Sequence, residues 1–169
     1  PQSYIDTNIN GLLNILNAGK RLNNLQSLIH TSTSEVYGTP EKLPITEKHP
    51  LSAQSPYAAS KIAADQLALS FNKSFDLPVS IIRPFNTYGP RQSTRAIIPS
   101  LITQALRNSS VSVGSLYPTR DFVHVTDTVQ GFVKAISNKK AIGEVINLGT
   151  GFEISIKDLK KNISKIIKK

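Results

Sequence analysis

Leu25-Gln-Ser-Leu-Ile-His30, the stretch Tyr57 to Phe75, and Val79-Ser-Ile-Ile82 are the segments that decide the fold. The first is a short strand-like run that ends in the hydroxyl-rich Thr31-Ser-Thr-Ser34. The second reads as a helix, and the third is a buried-type strand closed by Arg83 and Pro84. Strand, helix and strand in that order begin the alternation on which the fold class rests. Between them, residues 39 to 56 hold four prolines, which exclude regular structure. Upstream, Ile5, Ile9, Leu12, Leu13 and Leu16 mark one stripe of a helix over 4 to 18. Downstream the alternation continues with a helix over 96 to 107, strands near 111 to 113 and 121 to 125, a helix over 126 to 138, a strand over 144 to 148 and a basic terminal helix. Such alternation predicts an α/β fold with a parallel sheet.

The 169 residues include no Cys, Met or Trp, so Pro1 is no initiator and the chain is expected to be a processed product or a slice. With 39% hydrophobic and 18% charged residues it is neither a disordered tail nor a membrane protein. No run approaches the roughly 18 apolar residues a bilayer span needs, and Pro1 to Gly19 has no export signal. A cytoplasmic location is therefore expected. Without Cys there is no disulfide framework, and His30, His49 and His124 lack the spacing of a metal site. The net charge of +9 is uneven. Lys157, Lys160, Lys161, Lys165, Lys168 and Lys169 fall in the terminal segment, opposed there only by Asp158. Ile156, Leu159, Ile163, Ile166 and Ile167 share that segment at helical spacing, and Ser155 with Asp158 is placed like a capping box. These lysines read as the wet face of an amphipathic helix, and no basic stretch is interleaved with aromatics as a nucleic-acid surface would be. The Asn-x-Ser sequons at Asn72, Asn108 and Asn162 read as chance occurrences.

The chemistry concentrates in Thr31-Ser-Thr-Ser-Glu-Val-Tyr-Gly38 and Ser55-Pro-Tyr-Ala-Ala-Ser-Lys61. Tyr57 and Lys61 are four residues apart and share a helix face; by itself such a pair is also what a surface Tyr beside a surface Lys looks like. A phenol with an ordinary pKa of about 10 must give up about 4 kcal/mol of proton affinity to act as a base near neutrality. A lysine charge about 5 Å away supplies about 3 kcal/mol at an effective dielectric of 20, with burial opposing it. A nucleotide-binding sheet ordinarily opens on a strand, a G-x-G-x-x-G turn and a helix, and the nine glycines include no such cluster.

Taken with Arg83-Pro-Phe-Asn-Thr-Tyr-Gly-Pro-Arg91 and Thr7-Asn-Ile-Asn-Gly-Leu-Leu-Asn14, in this order and spacing, the chain resembles the extended short-chain dehydrogenase/reductase family, the NAD-dependent sugar-nucleotide epimerases and dehydratases. The resemblance runs the whole chain. It implies a partial Rossmann-like doubly wound parallel sheet with part of a small C-terminal substrate-binding region. Residues 1–90 would be the C-terminal half of the NAD-binding domain, and 91–169 mixed substrate-binding elements with a returning strand and helix; the N-terminal Gly-rich part would be absent. Tyr57 and Lys61 would be the catalytic pair and touch the cofactor along with Ser32. Glu35, Thr33 and Ser34 would complete the catalytic set, and Asn86, Arg120 and Arg95 would bind substrate.

In the 4,6-dehydratases of this family Glu35 would take the proton from carbon 5 of the sugar. Ser34 stands where dTDP-glucose dehydratases carry Asp, so either Glu35 shuttles both protons or Ser34 relays one. The same triplet occurs in UDP-glucuronate decarboxylases, and epimerases of the family stay open as alternatives. Gly114-Ser-Leu-Tyr-Pro-Thr-Arg-Asp-Phe122 and Arg91-Gln-Ser-Thr-Arg-Ala-Ile-Ile-Pro99 are similar to dehydratases acting on nucleotide-linked N-acetylglucosamine in legionaminic-acid-type pathways, which implies polysaccharide biosynthesis. Helices 4–18 and 57–75 would build a homodimer. The isolated chain is expected to be inactive and fragile, with an unpaired sheet edge at Leu25 to His30; a non-catalytic remnant that binds an intact paralogue is the alternative. For Arg120 the other reading is an ion pair with Asp121 or Asp127, for Asn86 a turn cap, for Thr33 an ordinary strand hydroxyl, and for Arg95 a solvated face. His30 reads as a core histidine, and Asn8 as a residue that bends a helix or holds a water.

Overall fold

The computed structural model describes residues 1–108 and 110–167. In chain order the elements are α1 (Gln2–Tyr4), a π-helical segment (Ile5–Asn10), α2 (Gly11–Gly19), β1 (Leu28–Thr31), a 3₁₀ turn (Ser34–Tyr37), α3 (Pro56–Phe75), β2 (Val79–Pro84), β3 (Asn86–Tyr88), α4 (Ile97–Arg107), β4 (Thr119–Arg120), β5 (Phe122–His124), α5 (Val125–Ile136), a second 3₁₀ turn (Lys139–Ala141), β6 (Val145–Leu148), β7 (Ile154–Ser155) and α6 (Ile156–Ile167). They divide into two compact units, Pro1–Phe85 with Thr126–Leu148, and Asn86–Val125 with Gly149–Lys169.

The first unit is built on a parallel sheet in the order β1-β2-β6, with Leu28 opposite Val79 and Ile81 opposite Val145. Side chains alternate across a strand, and β2 buries both of its faces. Val79 and Ile81 pack with Leu12, Leu16, Ala64, Ala68 and Phe71 on one side. Ile82 packs with Ala135 and Ala141 on the other, joined by Phe132, Ile146 and Leu148. Helices thus cover both faces, as an α/β doubly wound sheet requires. Among the described residues β1 is an end strand with one edge unpaired.

α3 starts sharply because Ser55 accepts the Ala58 N–H at 3.1 Å and Pro56 occupies the first turn, where its missing N–H costs nothing. Its buried positions are mostly small, with Ala58, Ser60, Ala64 and Ala68 letting it lie close to the sheet. The helix expected over 4–18 is present but not uniform: its first half is the π-helical segment, and Ile5, expected on the buried stripe, is 43% exposed.

The second unit has two short ladders, β3 parallel to β5 and β4 antiparallel to β7. Leu101 of α4 packs with Ile156, Leu159 and Ile163 of α6. The Ser155–Asp158 capping box forms, with Ser155 Oγ accepting the Asp158 N–H at 3.0 Å and donating to Asp158 Oδ2 at 2.6 Å. Lys157, Lys161 and Lys165 lie on the exposed side of α6, and so does Ile166, against expectation, at 79% exposure. Lys168, Lys169 and Ser109 of the Asn108 sequon lie outside the described residues. The strand expected at 111–113 is not one: Val111 and Val113 turn into the apolar cluster while the Ser112 N–H goes to Gln104 Oε1 at 2.9 Å, and among the described residues no strand pairs with this stretch. β3 and β7 were not foreseen.

Candidate functional site

In the first unit the C-terminal end of β1 runs into the 3₁₀ turn, and the two place the hydroxyl-rich motif. Thr33 keeps an extended backbone (φ −159°, ψ 153°) and caps the turn, its Oγ1 accepting the Glu35 N–H at 3.2 Å. Gly38 ends it at φ +62°, where a Cβ would come within 2.3 Å of the Ser52 carbonyl, so the Pro-rich loop closes down only on glycine. Ser52 donates its N–H to the Val36 carbonyl at 2.9 Å. Tyr57 sits in the first turn of α3 and Lys61 in the next, and Lys61 Nζ donates to the Thr31 carbonyl at 2.9 Å. Ser32 is buried; its N–H pairs with the Ile82 carbonyl at 2.7 Å, while its Oγ has no partner. Ser34 opens the turn half-buried.

Burial pushes the Tyr57 phenol above its ordinary value of 10.0 and the Glu35 charge adds to this, while a hydrogen bond with the Thr33 side chain works the other way. The ring of Tyr4 meets it edge-on at 5.7 Å. The lowering of Tyr57 by Lys61 that the spacing suggests does not arise: burial and the Glu35 charge act on the phenol, and Lys61 is not among the groups that shift it. Burial lowers Lys61 itself, opposed by Asp65. The π-helical segment bears on the same helix: Asn8 Nδ2 donates to Ser60 Oγ at 2.9 Å, which donates to the Tyr57 carbonyl at 2.7 Å. Asn8, read as a bend or a water site, thus secures the first turn of α3.

Behind these residues runs a buried polar chain that the sequence did not reveal. Asp65 has no exposure, and its Oδ2 receives Arg83 Nε at 3.0 Å and NH2 at 2.9 Å. His30, buried as expected, holds Nε2 3.2 Å from Asp65 Oδ1 but outside hydrogen-bonding alignment. Arg83 NH1 donates to Tyr37 Oη at 2.7 Å, and Tyr37 donates to Asn147 Oδ1 at 2.8 Å. Asn147 returns its N–H to Glu47 at 2.9 Å and its amide to the Ile45 carbonyl at 3.3 Å, fixing the Pro-rich loop. The available signal was an acid four residues beyond Lys61 on a helix of small residues.

The remaining candidates belong to the second unit. Asn86 is exposed on β3, donates its N–H to the Asp121 carbonyl at 3.1 Å, and lines a cavity of about 150 Å³ with Tyr88, Gln92, Ile97 and Phe122. Arg95 is exposed and precedes α4, whose cap is Ala96, rather than opening it. Arg120 is exposed on β4, with NH1 on the Thr119 carbonyl at 2.7 Å. Asp121, considered as its ion-pair partner, instead spends its carboxylate on Thr150 N–H (2.8 Å), Thr150 Oγ1 (2.6 Å) and Gly151 N–H (2.9 Å). Thr33, Glu35, Tyr57 and Lys61 are therefore gathered in one unit, and Asn86, Arg95 and Arg120 lie in the other.

All 169 residues match the family model described as GDP-mannose 4,6 dehydratase. A dTDP-glucose 4,6-dehydratase of Streptomyces griseus is 38% identical over 157 residues, covering 92% of this chain and 47% of that protein. The NAD complex of dTDP-glucose 4,6-dehydratase from Bacillus anthracis superimposes with a TM-score of 0.90 at 34% identity, over 97% of this chain and 53% of that one. UDP-glucuronic acid 4-epimerase from Bacillus cereus, solved with UDP-glucuronic acid and NAD, gives a TM-score of 0.91 at 35% identity, over 98% and 52%. The chain spans about half the length of the known relatives it matches.

Proposed function

The chain belongs to the GDP-mannose 4,6-dehydratase family of sugar-nucleotide dehydratases and epimerases, and from that premise we propose that it carries the catalytic residues of an NAD-dependent sugar-nucleotide 4,6-dehydratase. The observation that carries the reading is a carboxylate, Glu35, close enough to Tyr57 for its charge to act on the phenol. A C4 epimerization needs one base at the 4-hydroxyl; a dehydration needs a second group for the proton on carbon 5, and Glu35 supplies it.

The residues present fit the nicotinamide-ribose end of NAD. Tyr57, Lys61 and the unpartnered Ser32 hydroxyl lie at or near the C-terminal end of β1, where parallel sheets bind their ligands. When bound, NAD supplies the hydride acceptor that makes oxidation at carbon 4 and reduction at carbon 6 redox-neutral. Tyr57 takes the 4-hydroxyl proton, with Lys61 as the nearby positive charge that favours the phenolate. Thr33, whose side chain acts on the Tyr57 phenol, orients the 4-hydroxyl. The 4-ketone acidifies the hydrogen on carbon 5, Glu35 removes it, and the 6-hydroxyl leaves as water on a proton returned by Glu35 directly or relayed by Ser34; as carbon 6 is reduced, carbon 5 regains a proton drawn from solvent through Glu35, balancing the one that Tyr57 takes from the 4-hydroxyl. The product is a 4-keto-6-deoxy sugar nucleotide. Arg120, unpaired by Asp121, is the proposed diphosphate clasp, with Asn86 and Arg95 as further substrate contacts.

The proposal extends to the N-acetylglucosamine-nucleotide subgroup on the two stretches noted above, to polysaccharide biosynthesis, to a cytoplasmic location, and to a homodimer. The exposed Tyr4, Ile5 and Ile15 of the N-terminal helix support the last. The test is an assay with NAD and dTDP-, UDP- and GDP-linked sugars on the protein that contains this sequence. Wild type is expected to give a 4-keto product, and Glu35→Gln to lose it at least 100-fold while still reducing bound NAD. Equal loss of both steps would assign Glu35 to folding, and a 4-epimer as sole product would assign the chain to the epimerases.

A further inference from the structure

We propose that Asp65 is a positioning residue for Lys61, a buried anion fixed by Arg83 one helical turn beyond the ammonium; its catalytic consequence rests on the reading given above. Side chains four apart on a helix share a face, so Asp65 stands beneath Lys61 on α3. It has no solvent exposure, and a lone carboxylate in that setting gives up its charge. Arg83 prevents this by placing Nε and NH2 on the same oxygen at 3.0 and 2.9 Å. Arg83 is held in turn by Tyr37, the last residue of the turn that carries Glu35.

Stability alone does not explain the arrangement, since apolar residues of similar volume often replace a buried ion pair at no loss. An apolar replacement could not set a negative charge under a half-buried ammonium. The groups facing the pair are the Thr31 carbonyl and His30 from β1, Arg83 from β2, and Tyr57 from the preceding turn of α3. Glu35 and Tyr4 face Tyr57 from the 3₁₀ turn and α1. Burial alone would move Lys61 toward its neutral form, and Asp65 is the charge that opposes this. Lys61 is lowered on balance, and without Asp65 it would be lowered further.

The test is the titration of Lys61 in the protein that contains this sequence, followed by NMR of ¹³C-methylated lysines and assigned by the resonance lost in Lys61→Arg. Asp65→Asn is expected to lower the Lys61 midpoint, and Asp65→Glu, which keeps the charge, to restore it. Because Asp65→Asn strands Arg83, the variant Asp65→Asn with Arg83→Met removes both charges together. It is expected to recover the wild-type fold while the Lys61 midpoint stays low. A midpoint that does not move in either variant, or that returns to wild type in the double variant, overturns the proposal. In the sugar-nucleotide assay the double variant is expected to lose activity on the alkaline side at lower pH than wild type. A wild-type protein inactive on every sugar nucleotide would refute the functional reading and leave the titration result standing.

Discussion

Asp65 in the first unit, with no exposure, holds two donors of one charged residue, Arg83, on Oδ2, whereas Asp121 in the second, half-buried, holds three neutral donors. Burial dictates that Asp65 be met by a charge, Arg83, and that Arg83 be met again by Tyr37, so the chain of bonds runs on until it reaches a loop. Asp121 has water nearby and needs only neutral groups, and it fastens just Thr150 and Gly151. The candidate site follows the same division. Lys61 is tied to the end of β1, Thr33 to the 3₁₀ turn and the Tyr57 carbonyl to Ser60 of α3, which fixes the atoms between which protons would pass. Asn86 and Arg120 stand exposed on short strands and Arg95 in the turn before α4.

The largest effect should come from breaking the interior chain. Arg83→Ala leaves Asp65 buried without its cation and is expected to cost about 3–5 kcal/mol in denaturant unfolding; a cost below about 1 kcal/mol would abolish the contrast with Asp121. Next is Leu101→Ala, expected to cost about 3 kcal/mol because the second unit has an apolar cluster where the first has an ionic brace. Hydrogen exchange should then rise in α4 and α6 and not in β2, and a uniform rise would merge the two units energetically. Asp121→Ala is expected to cost about 2 kcal/mol, with exchange rising at Thr150 and Gly151 alone.

The smallest effect concerns Tyr57. Its raised pKa means that the stability contributed by the protonated phenol is complete below pH 10 and is lost as pH rises through the raised value. Glu35→Gln removes one of the causes and should bring the phenol down, read as tyrosinate absorbance of wild type minus Tyr57→Phe. No movement would place Glu35 too far from Tyr57 to share a substrate with it.

These outcomes bear on what the sequence could disclose. β2 was legible because its β-branched run matches a strand buried on both faces, and α3 because Ser55-Pro56 marks a helix start. The motif residues Glu35, Tyr57 and Lys61 were legible because two short stretches hold them. Val111 and Val113 misled because alternation reports which side chains are buried and not whether a ladder partner exists. β3 and β7, three and two residues long, are too short to leave a pattern, whereas β5 was legible in the apolar run near 121 to 125. The Arg83–Asp65 bond joins residues 18 apart, and Tyr37–Asn147 residues 110 apart; local spacing carries no trace of either. The direction of the Tyr57 shift was hidden for a related reason, since burial of the phenol combines with the Glu35 charge, which comes from an element distant along the chain.

The central claim is that Glu35 moves the proton of carbon 5 while Tyr57 and Lys61 serve the 4-hydroxyl. Turnover of a sugar nucleotide in deuterated water, with the product read by NMR, tests it most directly. The account predicts a 4-keto-6-deoxy sugar carrying solvent deuterium at carbon 5, a label that disappears with Glu35→Gln. A 4-epimer with its carbon 5 hydrogen retained would contradict it.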